Sequence, residues 1–268
     1  MATGLKILCF GRTGTGKTAA IASLLKTNQK VRVLSADNNA EAGIRAGFEI
    51  HKVTPTDDNF AVCIPDRGNS KPEDFLAYID KALRQDFDVR LKEKDPTRKY
   101  EVGFRNIYSG MVNFIDTTGV DRGYVPDWST DTTLVIDSLS VIVDEITKTL
   151  VGNGSLTQPL IGEIQKFVIN VIQLLTGTLK CNIILLGHPT KEVDPVTGVT
   201  GIYPMTIGYA LNERIGSFFS DVLYSQFDST SKDYFWSTQH RVAVANGRNV
   251  PKVDKMKQDY SIFFKERK

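Results

Sequence analysis

A chain of 268 residues can bury one good-sized core with a small insertion or lobe, which argues for a single domain. Its 33 basic and 31 acidic residues leave a formal net charge of +2, so charge alone neither demands nor excludes a nucleic-acid partner. No run approaches the roughly 20 apolar residues of a membrane-spanning helix, and residues 1–20 lack the apolar stretch of a secretory leader, so no membrane is expected and the compartment is expected to be cytoplasmic, a host's cytoplasm if the chain is viral.

In chain order, Leu5-Lys6-Ile7-Leu8-Cys9-Phe10 is an apolar run that predicts a strand. It enters Gly11-Arg12-Thr13-Gly14-Thr15-Gly16-Lys17-Thr18, of the form G-x-x-x-x-G-K-S/T, and the following stretch to Lys26 predicts a helix. In such a loop the glycines let the backbone curl so that N–H groups converge on a phosphate. Lys17 then reaches the β- and γ-phosphates, and the Thr18 hydroxyl can ligate Mg²⁺. A chance match is expected in about one chain in a hundred of this length. The flanking strand and helix favour the phosphate site further, because a helix N-terminus attracts anions.

Val31-Arg32-Val33-Leu34-Ser35-Ala36 predicts a second strand closing on Asp37-Asn38-Asn39, with a helix from about 41 to 47 after it. Residues 52–131 read as an irregular insertion, apart from a helix over about 72–94 carrying Phe75, Ile79, Leu83 and Phe87. Thr132-Thr133-Leu134-Val135-Ile136-Asp137 predicts a strand ending in a carboxylate, followed by a helix through Val141 to Leu150. A second amphipathic helix carries Ile161, Ile164, Val168, Val171, Ile172 and Leu175 on one side. Asn182-Ile183-Ile184-Leu185-Leu186-Gly187 predicts a buried strand ending at His188, and the stretch from there to about 208 reads as too polar and irregular to pack. Val222-Leu223-Tyr224-Ser225 and Arg241-Val242-Ala243-Val244-Ala245 are further strand candidates, and the tail at about 250–268 is basic. Cys9, Cys63 and Cys181 are widely spaced and read as reduced core thiols.

Apolar strands alternating with helices predict an α/β fold, with a mostly parallel sheet covered on both faces and ligands at the carboxyl ends of its strands. Thr18, Asp37, Asp137 and His188 all fall at or just beyond such ends. Asp137 is the natural second anchor, after Thr18, for Mg²⁺ beside a triphosphate, since a hard cation takes carboxylate oxygen. Ser138 follows it where many ATPases carry a second acid, so a water-activating carboxylate must come from another strand. Asp37 is the first choice and Glu41 the second, each against the reading of an ordinary turn residue or helix-capping acid. His188 either contacts the γ-phosphate or the attacking water, or is a satisfied histidine at a strand edge.

This arrangement resembles the RecA-type ATPase core. Leu34 to Asn39 with Ile44 to Ile50 resembles the segment holding that family's catalytic glutamate and the next helix and strand. Leu134-Val135-Ile136-Asp137-Ser138-Leu139 resembles its Walker B segment, and Asn182 to His188 its sensor strand. The chain is similar to bacteriophage-type RecA-like nucleotide-binding proteins, some of which are single-strand annealing proteins in recombination. The resemblance implies ATP and Mg²⁺ as cofactors, a homo-oligomer in ring or filament form, single-stranded DNA as a partner and contact with a replication or recombination protein. Asp37 is a methylene shorter than the family's glutamate. The family's DNA-facing loops match about 151–159, which has no Lys or Arg, and 189–209, where Lys191 stands beside Glu192 and Asp194. The electrostatic part of DNA affinity is thin there, leaving backbone N–H groups and polar side chains. Val244-Ala245-Asn246-Gly247-Arg248 resembles the segment that inserts a cation into a neighbour's site. Arg248 is then a finger in trans, or else a solvated arginine in a turn.

Three functions stay open. One is a RecA-like ATPase that binds single-stranded DNA as an oligomer and assists annealing or strand exchange. Another is a replisome- or helicase-associated ATPase switch that docks a protein through residues 52–131. The third is a P-loop small-molecule kinase, which suffers because the second and sensor strands flank Asp137 in the order expected of ATPases with an added strand beside the P-loop strand.

Overall fold

The computed structural model describes residues 4–36, 40–65, 103–151, 155–193 and 198–264. The apolar runs form β1 (Lys6–Gly11), β2 (Lys30–Ser35), β3 (Phe60–Cys63), β6 (Thr132–Asp137), β7 (Asn182–Gly187) and β10 (Asp221–Asp228), and two edge strands follow, β11 (Asp233–Ser237) and β12 (Met256–Lys257). These eight make one sheet in the order β12-β11-β10-β1-β7-β6-β2-β3. Every pairing from β10 through to β3 is parallel, and β11 and β12 add antiparallel to one edge. The central strands β1, β6 and β7 are buried along their whole length, as parallel strands covered on both faces must be.

Alternation along the strands divides the core in two. Ile7, Cys9, Val31, Val33, Val135, Ile184 and Leu186 face a layer formed by α1 (Lys17–Ala20), its 3₁₀ continuation Ile21–Lys26, α2 (Ala40–His51) and a C-terminal 3₁₀ turn, Tyr260–Phe264. Leu8, Phe10, Leu34, Leu134, Ile136, Ile183 and Leu185 face α3 (Gly103–Val112), α4 (Leu139–Val151) and α5 (Gln158–Gln173). The result is the predicted α/β architecture, a mostly parallel sheet with helices on both faces. The three cysteines are free and buried, and burial pushes each thiol up to about 11.

Several local expectations change. α2 runs on to His51, so Phe48, Glu49 and Ile50 are helical and the next strand is β3. The stretch after His188 is a hairpin of β8 (Pro189–Val193) and β9 (Thr200–Pro204), because antiparallel backbone pairing needs no apolar pattern to close a two-sided polar ribbon. Arg241 to Ala245 is not a strand. It makes one isolated bridge, Ile202 to Ala243, while β11 takes the place beside β10 through a short turn with little closure entropy. Within 52–131, β3 edges the main sheet, Phe104, Ile107 and Met111 are buried in the core, and a hairpin of β4 (Asn113–Ile115) and β5 (Asp121–Tyr124) is tied to β3 by the Thr117 N–H on Val62 O at 2.8 Å. The helix expected over 72–94 lies outside the described residues.

Two sites make the packing testable. A Cβ on Gly47 would stand 2.2 Å from the Ala19 carbonyl oxygen, so α1 and α2 approach with only hydrogen between them. Gly47→Ala is expected to cost roughly 1–3 kcal/mol by overpacking, read as a lowered Tm in thermal denaturation. In the β4–β5 hairpin, burial opposes the charge on Asp116. Hydrogen bonds from the Thr118 hydroxyl and N–H, the Arg122 guanidinium and the Val120 N–H outweigh it and hold the carboxyl at about 2. A folded-state pKa below the unfolded one gives stability that is present above the unfolded value, near 4, and is lost as pH falls toward 2. Asp116→Asn should therefore flatten that part of the stability–pH curve in urea titrations between about pH 5 and pH 2.

Candidate nucleotide site

β1 delivers the chain into the loop at Gly11. Gly14 and Gly16 take φ of 77° and 84°, the left-handed region that glycine enters without a steric penalty. At Gly16 space is short as well, since a Cβ would lie 2.6 Å from Gln258 Oε1 and 3.0 Å from the Tyr234 ring. The Thr15 hydroxyl closes the loop on Arg12 O at 2.8 Å. Lys17 is buried across the loop and donates from Nζ to Gly11 O at 2.7 Å and Arg12 O at 2.9 Å. The Ala20 N–H bonds Gly16 O at 2.9 Å, so the helix begins directly behind the loop.

β7 lies between β1 and β6, and the Thr18 hydroxyl still reaches Asp137, donating to Oδ2 at 2.8 Å. Asp137 is 5 % exposed. Two oxygens on adjacent corners of an octahedron, each at the Mg²⁺–oxygen distance, stand about 2.9 Å apart. The Thr18–Asp137 pair therefore fits Mg²⁺ in donor chemistry and in spacing. Next to it, after a cis peptide bond, the Ser138 hydroxyl is buried without a hydrogen-bond partner among the described residues. The described residues contain no cluster of three or more His, Cys, Asp or Glu able to hold a metal alone. Such a donor set suits Mg²⁺, which keeps waters and is completed by phosphate oxygens.

The loop opens into a cavity of about 770 Å³, within the size range of small-molecule sites. Asp137 and His188 line it beside the loop. Gly43, Ala46, Ile50 and His51 of α2 form one wall, and Lys232, Tyr234, Lys255 and Lys257 at the β11–β12 edge form the other. Asp233 lines the same wall and Lys255 pairs with Asp228 at 2.7 Å, so the charge of this wall is mixed. Burial first, then neighbouring Lys26, lowers the His51 pKa below its ordinary value.

The structure brings Gly11 to Thr18, Asp137 and His188 together. Glu41 is not among the cavity's lining residues, and its carboxylate forms an exposed ion pair with Arg45 at 2.8 Å, one helical turn on. Asp37 lies outside the described residues. The strand before it ends at Ser35, in register with Asp137, and the Ala36 N–H bonds Asp137 O. The Arg248 N–H bonds Asp221 Oδ1 at 2.9 Å, and Asp221 is in register with Ile7, near the opposite end of β1 from the loop. Arg248 is thus remote from its own chain's phosphate loop. Ser225, Tyr234 and Gln258, which pack under and beside the loop, carry no local signal, because they meet it from more than 200 positions away in sequence.

No protein-family model and no curated protein matches the sequence. Among solved structures, the chain is similar to that of the RadB recombinase at 14 % identity and a TM-score of 0.42, over 90 % of this chain and 83 % of that one. Among the described residues no helix is long and apolar enough to cross a membrane.

Asp137→Asn is expected to remove most of the Mg²⁺-dependent part of ATP affinity, a loss of about tenfold to a hundredfold. Fluorescence titration with a labelled ATP analogue, with Mg²⁺ and with a chelator, measures it.

Proposed function

We propose that this chain is an ATP- and Mg²⁺-dependent RecA-like ATPase that binds single-stranded DNA as a homo-oligomer and assists annealing or strand exchange. The observation that carries the ATPase reading is the Thr18–Asp137 contact made across an intervening strand, the order of an ATPase with an added strand rather than of a kinase. The backbone of the loop grips the phosphate tail and Lys17 holds the β- and γ-phosphates. Thr18 and Asp137 hold Mg²⁺, which when bound neutralises charge developing on the transferred phosphoryl group. Asp37, two residues past the Ser35–Asp137 register pair, is the carboxylate that orients the attacking water, in preference to Glu41.

His188 supports a link from nucleotide to DNA. The residue lines the cavity, while its carbonyl accepts the Met205 N–H at 2.8 Å at the base of the β8–β9 hairpin. A shift at His188 on loss of the γ-phosphate then moves the hairpin. The hairpin contributes few cations, as Glu192 beside Lys191 also accepts from Asn212 Nδ2 at 3.1 Å, so backbone N–H groups and polar side chains supply most of its phosphate contacts. The position of Arg248 supports action in trans, with the amino edge of one subunit's sheet against the cavity of the next, as in a ring or filament.

ATP turnover and size distribution, measured with and without single-stranded DNA, test this reading. DNA is expected to stimulate turnover and assembly, and Lys17→Ala to lower turnover by about a hundredfold or more. Turnover raised by a replication protein and not by DNA would favour the docking switch instead. Transfer of phosphate to a metabolite would favour the kinase.

A further inference from the structure

We infer that Gln258, acting with Ser225, is a positioning residue that sets the direction of a phosphate-binding N–H in the loop. This rests on reading residues 11–18 as a phosphate site and adds to it a part played by the far end of the chain. Gln258 follows β12 and is 6 % exposed. Its Nε2 donates to Thr15 O at 2.9 Å, Ser225 Oγ at 2.8 Å and Phe235 O at 3.1 Å, and Ser225 Oγ donates to Thr15 O at 2.9 Å.

The Thr15 carbonyl is therefore held by two donors, Ser225 of β10 next to β1 and Gln258 just after the edge strand β12, both on the same side of the loop. The Thr15–Gly16 peptide is not among the cis bonds. In a planar trans peptide the C=O and the following N–H point in opposite directions. Fixing the carbonyl toward Ser225 and Gln258 thus turns the Gly16 N–H away from the sheet edge and toward the cavity, where the phosphates would sit. The glutamine and glycine are matched in shape too, since the Gln258 amide occupies the space that a Cβ on residue 16 would need.

Packing alone does not account for a glutamine here. A buried amide is costly unless its hydrogen bonds are made, and an apolar side chain of the same length would fill the space without that cost. The segment carrying Gln258 is anchored independently of it. Asp259 pairs with Lys26 at 2.8 Å, the Tyr260 N–H bonds Ser23 Oγ at 2.7 Å, and the Tyr260 ring packs on Trp236 with centroids 4.5 Å apart. Those contacts fix the strap to the 3₁₀ turn behind the loop, and Gln258 is where the strap reaches the loop itself.

Gln258→Met keeps length and volume and removes both donors. Its dissociation constants for ATP and for inorganic tripolyphosphate should rise together by about tenfold, because the defect lies in the grip on the phosphate tail. The Gly16 amide resonance, followed by ¹⁵N-correlated NMR, should also respond less to tripolyphosphate than in the native chain. Ser225→Ala should change both readouts in the same direction, and it serves if Gln258→Met does not fold. Affinities within about twofold of native, with an unchanged Gly16 response, would make the glutamine merely structural and overturn the inference, whatever happens to Tm. Tripolyphosphate binding by the native chain that is lost in Lys17→Ala would isolate such a failure from the phosphate-loop reading. If the native chain bound neither ligand, both readings would fall.

Discussion

A single hydrogen bond of 2.8 Å, from Thr18 Oγ1 to Asp137 Oδ2, joins the two halves of the candidate site. It forms only if β1 and β6 end at the same level with β7 between them, so it depends on the register of two successive parallel pairings. Those pairings set Phe10 opposite Gly187 and Asp137 opposite Leu186. A slip of one residue in either would carry every side chain of the strand to the other face and bury the wrong half of it. The apolar patterning that builds two core layers is thus also what holds a hydroxyl and a carboxylate at metal-binding distance.

Around that contact the molecule supplies support from distant parts of the chain. α2 meets α1 at Gly47, where backbone approaches backbone, and thereby brings its small-residue face, Gly43 and Ala46, to the cavity. On the other side β10, β11 and the segment after β12 press Ser225, Tyr234 and Gln258 against the loop. Within the loop, Thr15 and Lys17 bond the carbonyls of Gly11 and Arg12. Neighbours add to that hold, and a carbonyl held by two donors is an effective way to do so, because orienting one peptide plane orients both of its polar groups.

The same geometry separates features that a linear reading places together. Glu41, in the first turn of α2, is occupied in an exposed ion pair with Arg45. Arg248 stands near the other end of the sheet from its own loop. His188 belongs to two environments at once, as a residue lining the cavity and with its carbonyl in the base of a hairpin.

Strong periodic apolar runs and the loop motif were legible without a structure: β1, β6 and β7 form within one residue of where their patterns begin and end, and α4 and α5 within three. Such elements are decided by burial on both faces or along one stripe, and both leave a local imprint in the order of residues. The edge strands β11 and β12, the β8–β9 hairpin and short β3 left little imprint, because backbone pairing with a neighbouring strand stabilises them and such pairing asks for no apolar pattern. Gly11 to Thr18 and Asp137 could be named from sequence since each sits at the end of a readable strand. Whether Thr18 and Asp137 meet, which acids stand apart, and that Ser225 and Gln258 brace the loop were decided by strand order and register alone, which no short stretch of sequence encodes.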